Sequence, residues 1–196
     1  MSILATSRKT VDAAPRKGRL VLVVGPSGVG KDTLLHGARS ALREDRSVLF
    51  LRREITRPRE AGGEDHLPIT FETFRAREEA GAYLLSWRAH GLAYGVPLAS
   101  AEPLDSGATL VVNVSRAVLD RARALGVGEV RVVSITADPQ LLARRLAERG
   151  RESAAQIEQR LARAQAVAVE GDDVMVIAND GSPEAGVARL VQAIRG

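Results

Sequence analysis

Leu20-Val21-Leu22-Val23-Val24-Gly25-Pro26-Ser27-Gly28-Val29-Gly30-Lys31-Asp32-Thr33 is the stretch that decides the fold. Five apolar residues with no polar interruption read as a short strand buried on both faces, and Gly25 ends it. From Lys31 to about Arg43 the pattern changes to a helix, with Leu34, Leu35, Ala38, Ala41 and Leu42 on one face. Between strand and helix, Gly25 to Lys31 matches the Gly-x4-Gly-Lys spacing of a phosphate-binding loop in its required context. Glycines there let successive backbone N–H groups converge on phosphate oxygens, and the helix N-terminus adds partial positive charge. Lys31 is placed to bridge the β- and γ-phosphates of ATP. Gly25, Pro26, Ser27, Gly28, Val29, Gly30, Lys31, Asp32 and Thr33 are therefore the candidate nucleotide-binding residues. One position departs from the pattern. Asp32 stands where Ser or Thr usually offers a hydroxyl to Mg²⁺, and Thr33 follows it. Asp32 reads either as a magnesium-side ligand acting through water or as an acid favoured by the helix dipole.

The rest of the composition narrows the class. The chain has 196 residues, 45% of them apolar and 27% charged, as expected of one globular domain. No apolar run approaches the ~18–20 residues needed to span a bilayer, and residues 1–19 show no secretory h-region. The expected address is the cytoplasm, with no membrane partner. There is no cysteine, and the histidines are His36, His66 and His90, so thiol chemistry and a His-rich metal site are not expected. The formal charge of +4 resides in residues 1–19, where Arg8, Lys9, Arg16, Lys17 and Arg19 face only Asp12. The remainder balances, so no basic face for nucleic acid is expected on the folded body. Residues 1–18 read as a flexible basic tail and residues 19–196 as the domain. Lys31 is the single lysine after residue 17, against 25 arginines in the chain. A compact ammonium at a position where Arg does not serve fits the phosphate loop.

Further along, strands and helices alternate. Ser47–Ile55, Thr109–Val114, Val130–Thr136 and Val174–Ala178 read as strands. Phe71–Ala80, Arg116–Leu125, a segment from Pro139 to about Arg149, one from Ser153 to about Val169, and one opened by Ser182-Pro183-Glu184 read as helices. Asp138-Pro139 and the Ser153-to-Gln156 capping box supply start signals. The expectation is an α/β fold with a five-stranded parallel sheet covered on both faces, binding ligand at the carboxyl ends of its strands.

Four segments then carry a resemblance to the guanylate-kinase-like branch of the nucleoside monophosphate kinases: GPSGVGKDTLL (25–35), ITRPRE (55–60), LAYGVP (92–97) and RRLAERGRES (144–153), the last followed by Arg160 and Arg163. The resemblance covers about residues 19–195. It implies a P-loop kinase fold with a core of residues 19–56, 108–143 and 170–196. It also implies a small substrate-binding part, residues 57–107, and an Arg-rich helical lid, residues 144–169. By position, Arg57, Arg59 and Tyr94 would hold the acceptor phosphate. Arg145, Arg149 and Arg160 would serve catalysis from the lid, beside Lys31. Asn179 and Asp180 would lie near the adenine.

The carboxylates with which guanylate kinases read guanine are missing from these segments. Ser86 in Leu85-Ser86-Trp87-Arg88 and Asn113 in Asn113-Val114-Ser115-Arg116 stand in their places, with Arg88 and Arg116 nearby. That charge inversion suits a second anion. GKDxLL, ITRP, LSWxAxGLxYG, the Asn-x-Ser-Arg strand end, RGRE and the terminal Asn-Asp-Gly are similar to the ribose 1,5-bisphosphate phosphokinases of phosphonate catabolism. The resemblance implies a transferase that uses ATP and Mg²⁺ and takes ribose 1,5-bisphosphate to 5-phosphoribosyl 1-diphosphate. Ser86, Arg88, Asn113 and Arg116 would surround its 5-phosphate. His66 and His90 read equally well as donors to phosphate or sugar and as plain loop residues. Two other readings stay open: a guanylate or other nucleoside monophosphate kinase, and a non-catalytic guanylate-kinase-like binding module. Each is compatible with a homo-oligomer.

Overall fold

The computed structural model describes residues 17–61, 64–148, 157–158, 161–162 and 169–196. Its main sheet has five parallel strands: β1 (Arg19–Val24), β2 (Val48–Phe50), β7 (Thr109–Asn113), β8 (Glu129–Thr136) and β9 (Val174–Ala178), in the order β2-β7-β1-β8-β9. β1 sits in the middle, with Val23 beside Asn113 of β7 and Val24 beside Ser134 of β8. Its uninterrupted apolar run follows from that position. Leu20, Leu22 and Val24 join one core and Val21 and Val23 the other, and all five are fully buried.

Helix α1 (Lys31–Ala41), α4 (Pro139–Glu148) and α5 (Pro183–Arg195) close one of those cores through Leu34, Leu142, Leu146 and Leu190. Their start signals work as the sequence predicts. The Asp138 carboxylate accepts from the amides of Gln140 and Leu141, and the Ser182 hydroxyl accepts from Ala185.

A second, four-stranded sheet packs on the other core. It contains β3 (Glu54–Ile55), β4 (Leu67–Pro68), β5 (Tyr83–Ala89) and β6 (Leu92–Pro97), in the order β4-β3-β6-β5. It is braced by α2 (Phe71–Glu79). The strand expected over Ser47–Ile55 is therefore two strands in different sheets. Leu51, Arg52 and Arg53 lie between them and turn the chain from one layer to the other. The β5–β6 hairpin, which periodicity alone does not reveal, closes through His90 and Gly91. Both have positive φ, 53° and 73°, as a two-residue primed turn requires. The helix expected over Arg116–Leu125 is a 3₁₀ turn, Arg116–Val118, followed by the short α3 (Leu119–Arg123). Most of the helix expected from Ser153 lies outside the described residues, although Ile157 and Leu161 pack against the core lined by α4. No described helix is long and apolar enough to cross a membrane.

Candidate active site

The carboxyl ends of the parallel strands share one edge of the sheet. The loop after β1 lies there, with cavities on either side of α1, and close approach makes the glycines there obligatory. A Cβ on Gly25, whose φ is 152°, would lie 2.4 Å from the Ile135 carbonyl oxygen. Gly30 caps α1 in the left-handed region at φ 96°, and a Cβ there would lie 2.6 Å from Asn179 Nδ2.

Asn179 itself is buried and donates from Nδ2 to the Val29 carbonyl at 2.8 Å. Asp180 accepts from the Asp138 amide at 2.7 Å. Resemblance places both beside an adenine, and Asn179 lines a cavity with Gly28, Gly30 and Thr33. Their side chains also have protein partners: Asn179 props the phosphate loop, and Asp180 ties the loop after β9 to the start of α4. Arg145 of α4 stands over the same loop, its Nη1 3.5 Å from the Val29 carbonyl. Arg149 and Arg160 lie outside the described residues.

Lys31 is the first residue of α1, and its ammonium turns back to donate to the Gly25 and Pro26 carbonyls at 2.8 and 2.9 Å. Burial pulls its pKa down to about 8. The negative charge of Asp32 opposes that shift, and the Arg53 guanidinium adds to it. The sign of the consequence is fixed. A triphosphate beside Nζ favours the charged form, so nucleotide binding raises this pKa and takes up a proton wherever the free protein has lost it. We expect ATP affinity to be flat below pH 8 and to weaken by about tenfold per pH unit above it, as one linked proton requires. Calorimetric titration of ATP from pH 7 to 9.5 measures this, and a constant Kd would contradict it.

Asp32 and Thr33 are exposed on the first turn of α1. Asp32 lines a cleft together with Asn113 at the end of β7, Arg53 and Glu64. Its exposed carboxylate next to a phosphate loop fits a hydrated dication as well as a helix-dipole partner. Ser27 sits exposed at the tip of the loop.

Across the cleft, the small sheet presents a cationic and aromatic wall. Trp87 and Tyr94, cross-strand partners on β5 and β6, stack with ring centroids 5.3 Å apart and planes at 2°. Arg57 follows β3, and the Nε and Nη2 atoms of its guanidinium are buried with no hydrogen-bond partner among the described residues. Burial raises the Tyr94 phenol pKa, and the Arg53 and Arg57 charges oppose that shift. Both guanidinium groups therefore act on the Tyr94 side chain. His66 is buried, and its ring nitrogens lie 3.0 Å from the carbonyl oxygens of Glu64 and Arg57. It is thus spent on shaping the loop that carries Arg57. Arg59 is exposed on a 3₁₀ turn. His90, at the hairpin tip, is a turn residue.

The expected second-anion pocket holds a carboxylate that the strand motifs do not show. Ser86 is buried and its hydroxyl donates to Glu78 of α2 at 2.9 Å, while Arg88 pairs with the same carboxylate at 2.6 Å. The Arg88 charge, with its hydrogen bond first among the causes, holds the Glu78 carboxyl below the ordinary range. A carboxylate therefore does stand beside Ser86. It comes from a helix eight residues upstream, where no strand motif could reveal it, and it neutralises Arg88. Arg116 remains at the carboxyl end of β7, and its charge acts on Lys31. Arg53 and Glu64, joined in a largely buried ion pair, are the members of the site that motif reasoning misses. No local signal pairs them: Arg53 precedes the Ile-Thr-Arg-Pro segment and Glu64 follows it at a distance.

A parallel sheet with a phosphate loop, a single lysine at the helix start and an arginine wall facing it defines a kinase of the P-loop class. Solved structures agree on the fold. Guanylate kinase from Anaplasma phagocytophilum superposes with a TM-score of 0.61 at 18% identity, covering 91% of this chain and 85% of that one. A gluconokinase from Sinorhizobium meliloti gives 0.52 at 18% identity, covering 92% and 93%. No family model matches the chain. Curated sequences are more specific. The chain is 51% identical to ribose 1,5-bisphosphate phosphokinase PhnN of Acidiphilium cryptum over 177 residues, covering 90% of this chain and 92% of that protein. It is 47% identical to the protein of the same name from Ruegeria sp. over 189 residues, covering 94% and 97%. The chain belongs to the ribose 1,5-bisphosphate phosphokinase family, and it is a phosphotransferase.

Proposed function

We propose that this chain transfers the γ-phosphoryl group of ATP to the 1-phosphate of ribose 1,5-bisphosphate, giving 5-phosphoribosyl 1-diphosphate and ADP. The observation that carries this reading is Arg57. Two of its N–H-bearing atoms are buried with no partner among the described residues, and its charge acts on Tyr94. Buried donors are nearly always satisfied, so this orphaned pair supports an anionic ligand as its missing partner. The names borne by the relatives supply the identity of that anion.

An oxygen of the 1-phosphate attacks the γ-phosphorus as the bond from that phosphorus to the β–γ bridging oxygen breaks, and the electron pair leaves with ADP. The attacking oxygen is already anionic at pH 7, so no general base is required and the protein's task is positioning and charge neutralisation. Lys31 leaves the Gly25 and Pro26 carbonyls for phosphate oxygens. Arg57, with Arg59 and Tyr94, holds the acceptor phosphate, and Arg116 with Asn113 takes the 5-phosphate at the end of β7. Residues 57–107 act as the acceptor-binding part and residues 144–169 as the lid, with Arg145, Arg149 and Arg160 over the transferred group. Mg²⁺ supplies charge neutralisation between the phosphates, and Asp32 would hold it through water. The reading carries with it the cytoplasmic setting and the link to phosphonate catabolism that the resemblance implies.

A coupled assay for ADP, run with ribose 1,5-bisphosphate and with GMP, tests the reading. Glu78 beside Ser86 makes GMP the necessary control, because a carboxylate is what a guanine edge would need. Turnover of GMP with none of ribose 1,5-bisphosphate would overturn the proposal. The magnesium assignment has its own test. Asp32→Ala should raise the Mg²⁺ concentration for half-maximal rate by about tenfold, the usual weight of a group one shell from the ion. An unchanged Mg²⁺ dependence would leave Asp32 as a helix-terminal acid.

A further inference from the structure

Arg53 is 8% exposed, deeper than a cation goes without a compensating role. It lies in the chain that crosses from β2 to β3, so its backbone spans the two sheets. Its guanidinium lies 5.4 Å from the Trp87 ring centroid and 5.1 Å from that of Tyr94, within cation–π distance of both. Nη2 is paired with Glu64, whose own side chain is largely buried. Nε is buried and has no hydrogen-bond partner among the described residues. The pair lines the cleft that also holds Asp32 and Asn113, and its charges act on Lys31.

Two rings and a carboxylate fix this guanidinium in one orientation. A buried fork held that firmly costs desolvation and side-chain entropy, and the pair alone leaves one N–H unmatched. A structural staple would have all its donors satisfied. We propose that Arg53 is a specificity-determining residue for the acceptor. It is pre-oriented by Glu64, Trp87 and Tyr94 at the edge of the cleft, so that its guanidinium donates to the phosphoryl-accepting phosphate once that phosphate displaces the packing over Nε. Glu64 neutralises the guanidinium while the site is empty, and the incoming dianion completes its hydrogen bonding. Nucleotide binding at the phosphate loop does not use this donor. The inference rests on the acceptor reading proposed above.

Steady-state kinetics with ribose 1,5-bisphosphate and ATP test it, with ATP affinity measured independently by calorimetry. Arg53→Ala should raise KM for ribose 1,5-bisphosphate by about 30-fold, the weight of one charge-assisted hydrogen bond, and leave ATP affinity within about twofold. Arg53→Lys keeps the charge and most of the volume but loses the planar fork, so it should fold if the alanine variant does not. It should raise the same KM by about tenfold. Native-like folding with an unmoved acceptor KM in both variants would overturn the inference and leave the proposed function standing. Parallel loss of ATP affinity would overturn it too, since that marks a purely structural residue. An unaltered protein that fails to phosphorylate ribose 1,5-bisphosphate overturns both readings.

Discussion

Replacing Lys31 by alanine should lower kcat by about 10²–10³-fold while the protein keeps its fold, because one preorganised electrostatic group typically supplies that much transition-state stabilisation. Among the described residues, the ammonium donates to the Gly25 and Pro26 carbonyls, contacts that the loop can replace with water. Its burial and lowered pKa show that the ammonium is held in a poorly hydrated place. Charge there is costly to the empty protein and strongly favoured once phosphates arrive. Stability should therefore be unchanged or slightly improved in Lys31→Ala, while turnover collapses. Circular dichroism and a thermal melt beside the ADP assay check both halves. Near-normal turnover would remove the loop from the catalytic machinery.

Arg57 offers a second large effect, again with stability kept or raised while activity falls. In the free protein, two of its nitrogen atoms are buried without partners, which costs about 1–3 kcal/mol for each unsatisfied group. Arg57→Met keeps much of the apolar stem and removes those donors. The melting temperature should rise or hold. KM for ribose 1,5-bisphosphate should rise by about 100-fold or more, because the acceptor phosphate loses a bidentate partner. A fall in melting temperature with an unchanged KM would make Arg57 a structural residue whose partners form elsewhere.

Both predictions turn on one physical contrast. Lys31 works where its own neighbours in the chain put it. Arg57 works where another segment meets it. The phosphate loop was legible because every part of it is local: a buried strand, glycines at close approaches, a lysine and a helix start within fourteen consecutive residues. Four of the five parallel strands were legible for the same reason. β1, β7, β8 and β9 are each a short apolar run bounded by turn residues, which marks a strand of a parallel sheet without further context. The N-caps at Asp138 and Ser182 are local signals too, and both form.

What sequence could not decide depends on which segments are brought together. Ser47–Ile55 reads as one strand because alternation has no way to mark the residues where the chain leaves one sheet for another. Glu78 reads as an exposed helix acid until α2 lies across β5 and sets it against Ser86 and Arg88. Asn179 matches a loop expected near adenine, and only the meeting of the segment after β9 with the phosphate loop shows that its amide also bonds Val29. Arg53 and Glu64 stand eleven residues apart with nothing in their spacing to pair them, and only the junction of the two sheets places them under Trp87 and Tyr94. A continuous stretch of backbone therefore determined the nucleotide end of this protein, because phosphate is bound largely by main-chain groups whose geometry is local. The acceptor end is made of side chains from separate strands and loops. Their burial, pairing and unspent donors exist only once tertiary packing has removed water from between them.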